Sequence, residues 1–548
     1  MNNELQDQHN KSSSLASAMI LGWLIDQGCE LSEETLSALP GLRAANPHWQ
    51  PSLDKVADKE FGEVTGGIVD IEMDPTPLLN VPLSKVLELA ESHPDYSPDF
   101  STEYKLFDGL VKHHPNLAVD ALTLAATEGE YPEKYWRILL REWPDAAPPR
   151  LTCLLSERIK HLPDHVVTAL RHDVFSWMAQ NEPKLKSTDK ENSLDVLDTL
   201  LDKLFAGDTS ATDSPILSER VAGDDQGWSR KTMFHAINGP AGKAVKFLLA
   251  LLRAQNLTQG SGVPPEIKSR FERLLTSPGE GPSHTVCLLC RHIEWLHWLD
   301  PNWASSTVVP WFDPEHPNAE SAWNGFCYAN RLPEPKLFLL LKPYFLNVFS
   351  LASTWKWNDQ AMEVLHNHLV VGCLRHERDE AYLSVDEARS ALQKTTHNGR
   401  GQCIHYLTKL LENDEIQWDG FGRMFLNEVW PKENEMQSET TTTRLAFLAR
   451  IAGNNFPDVV RTISPRLVHV HSNSWLIYHV FSDRNKTGVD LVTCYPSETL
   501  AFIDKITPTN PQEIPFNLNA TLEKIAQSQP TLRQDPRWQR LNNIVRNA

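Results

Sequence analysis

The sequence predicts an all-α protein, a helical-repeat (HEAT-like) α-solenoid, on three observations. Apolar residues recur at three- and four-residue spacing through most of the chain after Ser84, which is the helical period. Proline followed by Asp or Asn recurs between apolar helices: His93-Pro94-Asp95, His114-Pro115-Asn116, Leu162-Pro163-Asp164 and Phe456-Pro457-Asp458. Proline fits the first turn of a helix and stops the one before it, so such short junctions make antiparallel helix pairs. Finally, 548 residues exceed one hydrophobic core, so either several domains or a repeat array is required. The repeats share little beyond periodicity and these junctions. An irregular all-α domain is the alternative arrangement.

Taken in order, residues 1–14 are polar and read as a disordered tail. A helical-repeat region is expected over 15–204. It opens with amphipathic helices at Leu15–Gln27 and Leu31–Leu39, and Gly66-Gly67-Ile68-Val69-Asp70-Ile71 has the form of a short strand. Helices follow at Lys85–Ser92, Glu103–His113, Leu117–Ala126 and Pro132–Glu142. Periodicity lapses over 205–230, which reads as a linker or mobile loop. A central aromatic-rich domain over 231–431 is expected to hold helices near Gly242–Gln255, Pro265–Leu275, His284–Leu299, Asp359–Cys373 and Gly401–Asn413. Ser384-Val385-Asp386-Glu387 has the form of a capping box and predicts a helix over 385–394. Residues 432–443, ending in four threonines, read as an exposed loop. The C-terminal region, 444–548, is expected to hold helices at Arg444–Ala452 and Pro457–Ile463 and to finish with polar helices from Leu518 to Val545.

Composition narrows the function. With 41% hydrophobic and 22% charged residues, the chain is that of a folded soluble protein. A net charge of -19 argues against nucleic acid as the main ligand and against anionic membranes, both of which need a basic face. Eight scattered cysteines suit free thiols in a reducing cytoplasm. The apolar run Leu15–Ile25 lacks a basic flank and is too short to span a bilayer. A cytoplasmic protein without a membrane partner is expected.

Several patterns resemble chemistry and are outweighed by packing. Gly239-Pro240-Ala241-Gly242-Lys243 lacks the first glycine, the hydroxyl after the lysine and the preceding strand of a phosphate loop. A turn leading into a helix explains it better. Cys287 and Cys290, with His284, His292 and His297 nearby, suggest zinc, but no second Cys-x-x-Cys exists. On a helix the two cysteines share an apolar face. His366, His368, His376, His469 and His471 sit in no metal-binding motif. Nucleophile-elbow, His-Glu-x-x-His and Rossmann patterns are missing. No catalytic residue, cofactor or metal site is assigned. Large rings are concentrated between Met233 and Phe349, with Trp295, Trp298, Trp303, Trp311 and Trp323, and this stretch is expected to be the best-packed part.

The same central block resembles a helical domain of bacterial anti-phage defence proteins, the one that follows a sirtuin-like NAD-hydrolysing domain in a group of defence-associated sirtuins. The resemblance rests on Ala236-Ile237-Asn238-Gly239-Pro240-Ala241-Gly242-Lys243, on Pro310-Trp311-Phe312-Asp313, and on Ala322-Trp323-Asn324-Gly325-Phe326. Trp418, Phe425 and Trp430-Pro431 also fit, so it covers roughly 230–435. It implies a helical scaffold that senses a phage component or holds a toxic effector inactive. It gives Asn238, Gly239, Pro240, Gly242, Trp311, Asp313, Trp323, Gly325 and Phe326 structural roles and none of them a catalytic one. The chain shows no sirtuin glycine motif and no Rossmann sheet, so any NAD-consuming half is absent, replaced or on a partner chain. The expected function is therefore a non-catalytic scaffold or sensor subunit bound to a phage-encoded trigger or an effector. A housekeeping assembly scaffold and a zinc-dependent hydrolase or nuclease using Cys287 and Cys290 are the alternatives. Trp136, Trp143 and Trp357 would serve as contact anchors if exposed.

Overall fold

A computed structural model describes residues 74–92, 106–188, 190–206, 208–216, 227–357, 359–472, 475–481 and 488–547. The expected helices at Leu15–Gln27 and Leu31–Leu39 and the strand at Gly66–Ile71 lie outside the described residues. The described residues form an all-α protein without a strand. They fall in two compact units, Met1–Gly109 and Leu110–Ala548.

In the first unit, α1 (Thr76–Leu79) and α2 (Val86–Ser92) pack together, burying Leu78, Val86 and Ala90. The boundary between units falls within α3 (Leu106–His113).

The second unit begins with α4 (Pro115–Thr127), α5 (Glu133–Arg141), α6 (Pro149–Lys160), α7 (Asp164–Ala169), α8 (Arg171–Gln180), α9 (Glu182–Thr188) and α10 (Lys190–Phe205). Pro115 opens α4 and Pro163 immediately precedes α7, as those junctions predict, Pro149 and Pro132 stand likewise at the starts of α6 and α5, and the Pro94 junction lies outside the described residues. Asp173 on α8, nearly buried, accepts from Arg141 Nε at 2.6 Å and Arg137 Nε at 3.2 Å, tying α5 to α8. Trp136 and Trp143 are buried, and Trp143 meets Trp177 edge to face, so neither serves as an exposed anchor.

The middle holds α11 (Met233–Ala236), α12 (Pro240–Arg253), α13 (Pro265–Leu275), α14 (Gly281–Arg291), α15 (Ile293–Leu299), α16 (Pro301–Trp303), α17 (Ala319–Cys327), α18 (Pro335–Ala352), α19 (Asp359–His376), α20 (Val385–Lys394) and α21 (His397–Glu412). The single helix expected over His284–Leu299 is in fact two. His292 leaves helical geometry (φ -106°, ψ 14°) and its ring Nδ1 meets Arg253 at 3.1 Å, a tertiary contact that no local residue signals. The aromatic block is less uniformly buried than expected. Trp303, Trp311 and Trp323 are buried, Trp295 is half-buried, and Trp298 is 40% exposed. Trp357 is also buried.

The C-terminal part comprises α22 (Glu439–Arg450), α23 (Phe456–Ile463), α24 (Leu476–Phe481), α25 (Leu491–Cys494), α26 (Pro496–Ile506), α27 (Leu518–Ser528) and α28 (Pro536–Arg546). The exposed loop expected to 443 ends earlier, because the threonine run opens α22. Ser438 Oγ accepts from Thr441 N at 3.2 Å and Thr441 Oγ1 accepts from Ser438 N at 3.1 Å. Thr441 and Thr442 are buried, and Thr442 Oγ1 accepts from Val468 N at 3.0 Å. A hydroxyl-rich segment reads as loop in sequence, yet these hydroxyls cap the helix and satisfy a neighbouring strand-like segment's amide.

Each member of the series α8, α12, α14, α17, α19, α21, α22, α24, α27 packs on the next. Other helices attach to this series locally, as α20 does to α18 and α19. Ser384 forms the predicted capping box for α20: its Oγ accepts from Glu387 N at 3.3 Å, and Glu387 Oε2 accepts from Ser384 N at 2.9 Å. Lys342 Nζ, on α18, donates to the same carboxylate at 3.0 Å. Replacing the cap removes one bonded partner at the helix start. Ser384→Ala is expected to cost about 1 kcal/mol, seen as a lower urea midpoint, while Ser384→Asp stays near wild type.

Candidate functional site

Most of the resemblance residues between Ala236 and Phe326 lie around α14, whereas Trp418 and Phe425 lie in segments that pack beside α21 and α20. Pro240 opens α12 and Gly239 precedes it in extended conformation. A Cβ at Gly242 would stand 1.7 Å from the Ala236 carbonyl oxygen, so only glycine lets α12 pass the end of α11. A Cβ at Gly325 would stand 1.9 Å from the Cys287 carbonyl oxygen, where α17 crosses α14. Asn324 Oδ1, fully buried, accepts from Met233 N at 2.7 Å and joins α17 to α11. Trp323 Nε1 donates to the Phe312 carbonyl at 2.9 Å, and its ring meets Phe312 and Phe326 edge to face at 4.9 and 5.4 Å. Asn238 Nδ2 donates to the Phe234 carbonyl at 2.8 Å, and Asp313 Oδ1 accepts from Glu315 N at 3.0 Å, closing turns. Trp311 is buried. All nine residues thus contribute packing, capping or turn geometry.

At the glycine turn the lysine is turned to the protein's own backbone. Lys243 Nζ donates to the His172 carbonyl at 3.1 Å, and burial lowers its pKa to about 8. Cys287 and Cys290 are fully buried, and burial pushes both thiols far above their usual range. Among the described residues no group of three His, Cys, Asp or Glu side chains has a geometry that could hold a metal ion. Segments 208–216 and 227–230, read as linker, are clamped to the start of α14. Arg230 pairs with Glu280 and donates to the carbonyls of Ile216 and Ser214 at 2.6 and 2.8 Å. Thr212 Oγ1 accepts from Gly281 N at 2.8 Å and Asp213 Oδ1 from Glu280 N at 2.9 Å.

Among the four buried histidines, which include His235, burial holds His284, His366 and His368 most strongly in the neutral form. His366 is satisfied by the Met362 carbonyl at 2.7 Å and Thr395 Oγ1 at 2.8 Å. His368 packs edge to face on Phe326, and neither of its ring nitrogens has a hydrogen-bond partner. His284 lies between Glu280, at 3.5 Å, and His235. Burial lowers His366 and His284 to about 4 and His368 to about 3.

Two surfaces have the character of binding sites, and neither has a sequence motif. One is a cleft of about 290 Å³ lined by Arg253, Arg291, His292, Ile293, Glu294, Trp295, Phe326, Ala329, Arg331 and Pro333. The break at His292 creates it, since it separates α14 from α15 beside the end of α12. The other is an aromatic corner. Trp475 and Phe516 are 49% and 48% exposed, with ring centroids 4.2 Å apart, and Tyr478 meets both at 5.9 and 5.6 Å. These rings lie at the starts of α24 and α27, which pack together. Asn517, in left-handed conformation (φ 70°), turns the chain from Phe516 into α27. No described helix is long and apolar enough to cross a membrane.

Comparison of the chain with protein-family models, with curated proteins and with solved structures finds no match.

Proposed function

We propose that this protein is a non-catalytic helical scaffold that recognises a protein partner, its helices succeeding one another in a HEAT-like array. The observation that carries the reading is the aromatic corner of Trp475, Tyr478 and Phe516. Two large rings left about half exposed, in contact with each other, cost free energy in water that a partner would recover. Tryptophan and tyrosine are the residues that most often dominate protein interfaces. The net charge of -19 favours a partner whose rim is basic.

The proposed setting is a bacterial, cytoplasmic anti-phage defence system, with a phage protein or a toxic effector as the partner, and the resemblance of the central block is what supports it. Any catalytic step belongs to that partner. The test is a pull-down with the tagged chain from phage-infected and uninfected cells. A specific protein should be enriched, and the double variant Trp475→Ser/Phe516→Ser should lose it while keeping the helical circular dichroism of the wild type. If no protein is enriched and deletion leaves phage plating unchanged, the reading fails. Enrichment of assembly factors regardless of infection would favour a housekeeping scaffold instead.

A further inference from the structure

We propose that the cleft bounded by Arg253, Arg291 and Arg331 binds a small phosphomonoester, with the phosphate on the guanidinium rim and a ring or alkyl body on the apolar floor. Three cations and one carboxylate line this cleft, in a chain whose net charge is -19. Arg331 pairs with that carboxylate, Glu294, at 2.5 Å. Arg253 has no acidic partner among the described residues: it lies over the Trp295 ring, 5.2 Å from its centroid, and donates to His292 Nδ1 at 3.1 Å. No hydrogen bond or ion pair occupies the Arg291 side chain among the described residues, and it is exposed. Two guanidiniums are therefore uncompensated.

The imidazole between them registers this field. His292 is lowered to about 4 by burial and by the charges of Arg253 and Arg291, so near neutrality it accepts Arg253's hydrogen bond and adds no charge. Two uncompensated positive charges match a dianion. A phosphomonoester is close to that state at pH 7, and guanidinium forks fit its oxygens in pairs. Arg253 is already oriented by His292 and Trp295, which lowers the entropy lost when it binds.

The floor decides between free phosphate and an ester. Ile293, Phe326 and Pro333 back the cleft and are buried, and the apolar surface it still shows to water comes from the half-buried Trp295 and Ala329. Inorganic phosphate would leave that apolar surface in water, whereas an ester covers it. The cleft volume, about 290 Å³, suits a body of one ring or a short chain. This proposal stands whether or not the aromatic corner binds a protein.

Calorimetric titration of the full chain with phenyl phosphate, inorganic phosphate and phenol tests it. Phenyl phosphate should bind more tightly than inorganic phosphate, and phenol should not bind. Arg291→Ala, at an exposed position, should melt like the wild type and weaken phenyl phosphate by at least about tenfold. Arg253→Ala should weaken it similarly. Absent binding of phenyl phosphate, equal affinity for inorganic phosphate, or undiminished binding in both variants would each overturn the proposal.

Discussion

Acidification from pH 6.5 towards pH 4 is expected to unfold the second unit. His284, His366 and His368 are buried and neutral, with pKa values lowered by burial to about 4, 4 and 3. In the unfolded chain each returns to the ordinary value of 6.5. Above pH 6.5 neither state binds the proton and the full stability is present. Below it the unfolded chain takes up protons that the folded chain refuses, so stability falls with pH until the folded-state values are reached. At pH 5 each histidine has withdrawn about 2 kcal/mol, or about 6 kcal/mol for the three. That is comparable with the whole stability of an ordinary domain, about 5–15 kcal/mol. Glu280 acts in the same sense. Burial works to raise its pKa, but Arg230 and the Ser214 amide together outweigh it and hold it below the ordinary 4.5, so its stabilisation is lost only as pH falls below that value. Helical circular dichroism recorded against pH should show a cooperative loss well above pH 4. His368→Phe, which keeps an aromatic ring against Phe326, should move the midpoint to lower pH, and the exposed His479→Gln should leave it unchanged. A melting temperature that stays flat between pH 6.5 and 4.5 would contradict this account.

Gly325→Ala is expected to be among the most damaging single-methyl changes in the core. The new Cβ would sit 1.9 Å from the Cys287 carbonyl oxygen and 2.7 Å from its carbon. Both are backbone atoms in the middle of α14, so no rotamer change relieves the clash. The two helices must move apart, which loosens the packing of α17 against α14. Alanine gains about 1 kcal/mol of helix propensity over glycine, and overpacking of this kind costs about 3 kcal/mol or more, so the net effect is a loss. Urea denaturation followed by tryptophan fluorescence should give a clearly lower midpoint. A midpoint equal to that of the wild type would show that α14 and α17 do not approach as described.

Helices were legible in the sequence where the signal was local. Ser384 and Glu387 sit three residues apart and cap each other, so the box could be read directly. Pro265–Leu275 carries its own proline start and apolar period, and it forms a helix with those bounds. Illegible features were those settled across space. His292 breaks a continuous apolar run while contacting Arg253, on a different helix. Thr441 and Thr442 of α22 are buried with their hydroxyls accepting from the Ser438 and Val468 amides. The cleft arginines come from three separate elements, and no spacing relates them. Trp475 and Phe516 each look unremarkable alone. The structure adds that they touch and that they face water. By contrast Trp136, Trp143 and Trp357 are buried, a difference that amino-acid type cannot signal.

The two glycine crossings also bear on how this protein could diverge. At Gly242 and Gly325 the opposing atoms are carbonyl oxygens of Ala236 and Cys287, which every residue type possesses. A clash against a side chain can be relieved by a second mutation that shortens it. A clash against a carbonyl offers no such compensating partner. The rest of the core can therefore drift through mutually adjusted changes of volume, while these two positions cannot. In distant descendants of this chain, the pair of glycines, spaced along the sequence with Trp323 two residues before the second, would outlast the hydrophobic identities around them.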